Sequence, residues 1–305
     1  MLNIKNLNVS IWKQQILKDI SFNVAKNEIL TILWSSWSWK STILKALSWF
    51  IEHKWNIILN EQDISNLNIS ERGIILSLQE FLLYPHLNVY ENINVANKWK
   101  FSTDELLTIF KISHLSKKFP NEISWWEQQR VSIARAISAN PQVLLLDEPF
   151  SNLDVLIKEQ LRYDLKEIFN ILNIPIIIVS HDKSDAFFFS KKVLIIDNWI
   201  IIDNGDIYDI FYNSNNEISI KLLWEYNILN NEYKKYFNIQ KDYLRLNELI
   251  IDINWHNFEI INKYFNWLYY IYELSSLFGS IKVIDMNNYN IWLKCCIIQK
   301  KEGYV

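Results

Sequence analysis

Lys40-Ser41-Thr42 closes a stretch that reads Trp34-Ser35-Ser36-Trp37-Ser38-Trp39-Lys40-Ser41-Thr42. A lysine followed by two hydroxyls suits a triphosphate site: the ammonium meets β- and γ-phosphate oxygens and the Ser41 hydroxyl ligates Mg²⁺. Writing glycine for the three tryptophans gives GSSGSGKST, a full match to the phosphate-loop pattern G-x-x-x-x-G-K-[ST]. Such a loop wraps its backbone N–H groups around the anion at a helix N-terminus. Glycine serves there because it reaches positive φ cheaply and lets the backbone approach the ligand. A tryptophan side chain covers roughly 150–250 Å², so three of them would fill the phosphate volume or splay the loop.

Two further places carry chemistry. Val143–Leu146 is an apolar run that ends in Asp147-Glu148. Asp147 fits a second Mg²⁺-organising acid, and Glu148 fits a base that orients or deprotonates the attacking water. Ile174–Val179 is a second apolar run, ending at Ser180-His181, and His181 is placed to meet a γ-phosphate. Each feature alone has a plain alternative, a solvated acid pair or a structural histidine.

These residues need a scaffold, and the chain supplies the pattern of one. Leu2–Val9 and Phe22–Leu33 read as strands, the second leading into the Trp34–Thr42 loop, and Thr42–Phe50 reads as a helix. Strand, loop and helix in that order is the context a phosphate loop requires. Ile57–Leu59 and Gly73–Leu78 read as further strands. From about 88 to 140 the pattern is helical: Ser102–Glu105 opens one helix, and Ser124-x-x-Glu127 is a capping box opening another through Ala139. The apolar runs before Asp147 and His181 fit buried parallel strands, and ligands gather at the C-terminal ends of such strands. Residues 212–216 read as a linker, and beyond them Asn247–Ile253, Leu268–Glu273 and Ser280–Ile284 suggest a small, mostly β domain.

The totals bear on the tryptophans. The chain of 305 residues has 14 Trp and 4 Gly, where average usage puts Gly near ~7%. Added together, the two residue types approach that share. Asn198-Trp199 lies between two Ile/Val-rich runs, where Asn-Gly is the usual tight-turn pair, and Asn204-Gly205 has a similar setting with a real glycine. Trp49 and Trp55 bracket another loop. One codon written here as Trp and read as Gly in the source organism accounts for all of these. The Ile-, Asn- and Lys-heavy composition fits an A/T-rich genome. The net charge of −3 gives no argument for nucleic acid. The N-terminus lacks a signal-peptide layout, no apolar run reaches the ~18 residues of a membrane span, and adjacent Cys295-Cys296 suggest neither disulfide framework nor zinc site. The expectation is a chain soluble by itself in a reducing cytoplasm.

With glycine at Trp125 and Trp126, Ser124–Gln128 becomes SGGEQ, which resembles the signature motif of the ABC-transporter ATPases. The resemblance covers about residues 1–215. Trp34–Thr42 matches its Walker A loop, Gln79 its Q-loop, Ser151-Asn152-Leu153-Asp154 its D-loop, and His181 its switch histidine. It implies an α/β P-loop ATPase domain at 1–215, with a helical subdomain at about 88–140, and a small TOBE-like domain at 216–305. It implies ATP and Mg²⁺, with Ser41, Gln79 and Asp147 toward the metal and Glu148, His181 and Gln79 in catalysis. Nucleotide contacts are implied at Trp34 through Thr42 (Ser35, Ser36, Trp37, Ser38, Trp39, Lys40 and Ser41 included), and at Ser124, Trp125, Trp126, Gln128 and Asp154. Where family members stack the adenine on an aromatic residue, this chain has Ile11, and that contact is not carried over.

The family mechanism implies a second ATPase subunit, each P-loop facing the partner's signature motif, and separate membrane permease subunits driven by closure. It also implies a place on the cytoplasmic face of the membrane. Leu222–Asn227, Tyr84-Pro85-His86 and Val89–Asn92 resemble importers of polyamines, sugars, sulfate or ferric iron. The alternatives are a non-transport ABC protein, or a nucleotide-free degenerate relative should the tryptophans be real.

Overall fold

The computed structural model describes residues 1–11, 14–34, 40–48, 53–98, 101–151, 153–214, 216–223, 226–228, 231–237, 243–245, 249–252, 258–266, 269–276, 279–285 and 294–299. Two compact units divide the chain, Met1–Leu222 and Leu223–Val305.

The first unit opens with β1 (Leu2–Ile11), β2 (Gln14–Val24) and β3 (Ile29–Trp34). The sequence suggests one strand over Phe22–Leu33, and the structure breaks it. Asn27 sits at φ +60° and the Glu28 carboxylate accepts from the Ala25 N–H at 2.6 Å, so polar Lys26-Asn27-Glu28 makes a turn. Then come α1 (Lys40–Leu47), β4 (His53–Leu59), β5 (Gln62–Asp63) and β6 (Ile74–Ser77). The helical stretch holds α2 (Val89–Asn94), α3 (Thr103–Ile109) and α4 (Trp125–Ser138), with 3₁₀ turns at Ser113–Leu115 and Pro120–Glu122. Ser102 and Ser124 cap α3 and α4 as the Ser-x-x-Glu pattern predicts. The remainder is β7 (Val143–Asp147), α5 (Val155–Leu172), β8 (Ile176–Ser180), α6 (Lys183–Phe189), β9 (Lys192–Asp197), β10 (Ile200–Asp206), α7 (Ile207–Asn213) and α8 (Glu217–Leu223).

One antiparallel sheet has the order β2-β1-β4-β5, and a six-stranded sheet has the order β10-β9-β3-β8-β7-β6. In the latter, β6, β7, β8, β3 and β9 run parallel and β10 closes the edge antiparallel. Alternate residues of β7 go to opposite faces. Val143 and Leu145 join a core with β1, β2 and α1, while Leu144 and Leu146 join a second core with α2 through α5. A sheet covered on both faces requires continuous apolar strands, which is why these runs do not alternate.

Two turn expectations part ways. Asn198-Trp199 is the two-residue loop between β9 and β10, with φ +44° and +74°. Asn204-Gly205 is no turn: both lie inside β10, paired with Leu194 and Val193. The expected linker at 212–216 is narrower, because α7 runs through Asn213 and α8 starts at Glu217. Ser214 Oγ donates to Asp203 on β10 at 2.8 Å.

The second unit contains β11 (Tyr226–Ile228), α9 (Asn231–Phe237), β12 (Tyr243–Arg245), β13 (Leu249–Asp252), β14 (Phe258–Asn266), β15 (Tyr269–Ser276), β16 (Gly279–Asp285) and β17 (Lys294–Gln299). β11 pairs with β12, and the rest form a five-stranded sheet, β13-β17-β14-β15-β16. Asn227 binds the Lys282 backbone through both its amide nitrogen and its carbonyl oxygen, 2.6 Å each.

Candidate functional site

The parallel registers Leu33↔Ser180 and Asp147↔Val179 bring the C-terminal ends of β3, β8 and β7 to one edge of the sheet. Trp34, which ends β3, is only 2% exposed. Residues 35–39 lie outside the described residues. Lys40 and Ser41 open α1, though their side chains are likewise outside the description, and Thr42 is buried. Strand β3 and helix α1 thus flank residues 35–39 in the expected order.

Asp147 ends β7 and is 3% exposed. Glu148 follows at φ +45°, in the left-handed region, where a non-glycine residue costs roughly 1–3 kcal/mol. Its N–H donates to the Val179 carbonyl at 2.9 Å, so β8 holds the turn. Its carboxylate oxygen Oε2 lies 3.1 Å from His181 Nδ1. The His181 side chain is 52% exposed and that of Glu148 only 10%.

Gln79 lies two residues past β6. Its Nε2 donates to Ser151 Oγ at 3.2 Å, and Ser151 Oγ donates to the Glu148 carbonyl at 3.0 Å. The Ser151 N–H reaches the same carbonyl at 3.1 Å. One serine therefore joins the segment after β6 to the peptide of Glu148. Among the described residues no cluster of three or more His, Cys, Asp or Glu could hold a metal ion. A Mg²⁺ bound through one carboxylate, one hydroxyl and substrate phosphates needs no such cluster, and the nearly buried Asp147 carries a hard oxygen donor of the kind such a site would use.

A model of a family described as "ABC transporter" matches residues 17–151. The chain is 33% identical over 238 residues to the Fe(3+) ions import ATP-binding protein FbpC 2 of Haemophilus influenzae, covering 74% of this chain and 67% of that protein. It is also 33% identical over 239 residues to the spermidine/putrescine import ATP-binding protein PotA of Acetivibrio thermocellus, covering 75% and 68%. Against the sulfate/thiosulfate import ATP-binding protein CysA 2 of Agrobacterium fabrum the identity is 33% over 223 residues, covering 69% and 65%. The fold matches the dimeric ATP-binding cassette MJ0796 bound to ADP and Pi, with a TM-score of 0.59, 23% identity, and coverage of 68% of this chain and 98% of that one. The chain belongs to the ABC transporter family.

Ser124, Trp125, Trp126 and Gln128 lie on the helical stretch, and Asp154 lies between β7 and α5. Ser124 caps α4, its N–H and Oγ both donating to Glu127 Oε2, at 2.7 and 2.5 Å. Trp125 is 47% exposed and meets Phe81 edge-on at 4.5 Å. Trp126 lies 5.3 Å from the Arg130 guanidinium. Gln128 Nε2 donates to the Pro120 and Ile123 carbonyls. Asp154 is the N-cap of α5, accepting from the Leu156 N–H at 3.0 Å. Asn152 is outside the described residues.

Motif reading passed over a group behind His181: Lys158 and Arg162 on α5, with Asp182 and Asp185 at the start of α6. Lys158 Nζ donates to Asp182 Oδ2 at 2.5 Å and Arg162 reaches the same oxygen at 3.0 Å. Burial pushes the Asp182 carboxyl up, but Lys158 and the Ser184 N–H outweigh it and hold the group well below the usual carboxylate range. For Asp185 burial wins, and the carboxyl is raised despite its bonds to Ser180 and Arg162. The i, i+4 spacing of Lys158 and Arg162 was the available signal, since it puts both cations on one face of α5.

Proposed function

We propose that this chain is the ATP-binding and ATP-hydrolysing subunit of an ABC importer. The observation that carries the reading is the convergence of Asp147, Glu148, His181 and Gln79 at the C-terminal edge of β6, β7 and β8, beside the end of β3. Lys40 and the loop before it hold the phosphates, and Glu148 takes the proton of the attacking water. His181 moves from Glu148 toward the γ-phosphate, and Gln79 senses the site from the β6 side. Bound Mg²⁺, held by Ser41, Asp147 and Gln79, would offset charge on the phosphate oxygens.

Ser124, Trp125, Trp126, Gln128 and Asp154 serve a second ATPase subunit's nucleotide, so the working unit is a dimer. Separate permease subunits receive the motion at the cytoplasmic face of the membrane. Among the described residues no helix is long and apolar enough to cross a membrane. The relatives' names cover iron, polyamines and sulfate, which favours import without choosing a solute. The 216–305 region is assigned as the TOBE-like domain.

We also propose that glycine occupies positions 34, 37, 39, 125, 126 and 199 in the working protein. The left-handed backbone at Trp199 supports this, because a bulky residue there is an outlier and Asn-Gly is the favoured pair for such a loop. Glu148→Gln in the protein as decoded in its own cells tests the base. ATP turnover should fall by about 100-fold or more while ATP binding persists; undiminished turnover would remove Glu148 from that role.

A further inference from the structure

The His181 side chain is half exposed, with Glu148 as its described ionic contact. Its neighbours on the chain are tied together by hydrogen bonds. Ser180 Oγ accepts from the Asp182 N–H at 3.0 Å and donates to Asp185 Oδ2. A single hydroxyl thus ties the residue before His181 to the residue after it, and anchors both to one carboxylate. Asp185 is 1% exposed. Its other oxygen receives Arg162 Nε at 2.7 Å and a second bond from the Arg162 terminal nitrogen. Arg162 is itself buried, with its guanidinium 5.8 Å from the Phe150 ring.

We propose that Asp185 is a positioning residue for His181, acting through the Ser180 hydroxyl, with Arg162 fixing Asp185. The inference rests on the ATPase reading for its consequence in turnover, but not for its geometry. Buried ion pairs are weak stabilisers, because desolvation offsets most of the attraction and well-packed apolar residues do as well. Direction is what they add. The two bonds of Arg162 to one Asp185 oxygen, with Ser180 on the other, fix the orientation of the carboxylate, and Asp185 in turn fixes the turn at 180–182. Lys158 and Arg162 both project from α5, which starts just after Asp154. A shift of α5 therefore re-aims the turn that carries His181.

The test uses the full-length protein from its own cells' decoding, free of nucleotide, with Ser180→Ala, Ser180→Thr and Asp185→Asn variants. Ring ¹H–¹⁵N correlation spectra resolve the 5 histidines of the chain, and His181→Ala identifies its signal. Ser180→Ala and Asp185→Asn should both move the His181 ring signals while the other histidines stay in place. ATP turnover should drop about 10-fold or more with KM little changed, as displacement of a catalytic group does. Ser180→Thr keeps the hydroxyl and should restore both readouts. His181 signals that coincide with the parent's in Ser180→Ala and Asp185→Asn would overturn the proposal, and so would equal disturbance of all the histidines. A parent protein without ATP turnover would refute the ATPase reading alone, leaving the ring spectra to decide this one. Should Asp185→Asn not fold, Ser180→Ala carries the same decision.

Discussion

Position 199 offers a separation of backbone strain from packing. Trp199→Gly and Trp199→Ala both delete the indole, including its edge contact with the Trp34 ring at 6.3 Å. Both leave the β9–β10 hairpin and the bond from the Lys18 N–H to the residue 199 carbonyl, 3.0 Å. They differ by one methyl group at φ +74°. An L-residue in the left-handed region costs roughly 1–2 kcal/mol, whereas alanine's stiffer unfolded chain returns about 0.4–1 kcal/mol. The glycine variant should therefore be the more stable by roughly 0.5–1 kcal/mol, the reverse of the order seen inside helices and strands. Equilibrium urea unfolding with matched slopes reads this difference, and for a unit the size of Met1–Leu222 it corresponds to roughly 1–4 °C in Tm. An alanine variant as stable as the glycine variant would refute the claim that this turn demands a residue without a Cβ.

Two further outcomes follow from the packing and the charges. Leu145, at 0% exposure in the centre of β7, should cost about 2–5 kcal/mol when changed to Ala, with an unchanged urea slope. The depressed Asp182 carboxyl contributes stability that is fully present above the ordinary carboxylate value near ~4 and is lost as pH falls through its lower folded value. The gap in unfolding midpoint between the parent and Asp182→Asn should hold from neutral pH to about pH 5 and narrow below ~4; a gap that widens on acidification would reverse the assigned shift.

Much of this arrangement was legible in the chain because each piece has a local cause. Val143–Leu146 and Ile176–Val179 are apolar without alternation, and the two-faced central sheet needs that pattern. Ser102 and Ser124 announced their helices through glutamates three residues on. Asn198-Trp199 reads as a turn from the flanking runs, and it is one. Asn204-Gly205 failed as a turn because pairing with β9 carries the strand past it, a tertiary effect that a dipeptide cannot express. Asn27 breaks Phe22–Leu33 through a single left-handed residue amid otherwise strand-like neighbours. The Ser151 link between Gln79 and Glu148 joins positions far apart in the chain, 72 residues in the case of Gln79 and Ser151. The Arg162–Asp185 pair likewise spans 23 residues. Only the parallel strand order brings such partners together.

The central claim, a working phosphate loop in an ABC ATPase, rests on what stands at 34, 37 and 39. Mass spectrometry of the protein from its own cells, on the peptide ending at Lys40, measures it directly. That peptide should be lighter than the written sequence by three replacements of an indolylmethyl group by hydrogen, with Gly at all three positions. Tryptophan at those positions would contradict it, leaving a loop that cannot hold a triphosphate.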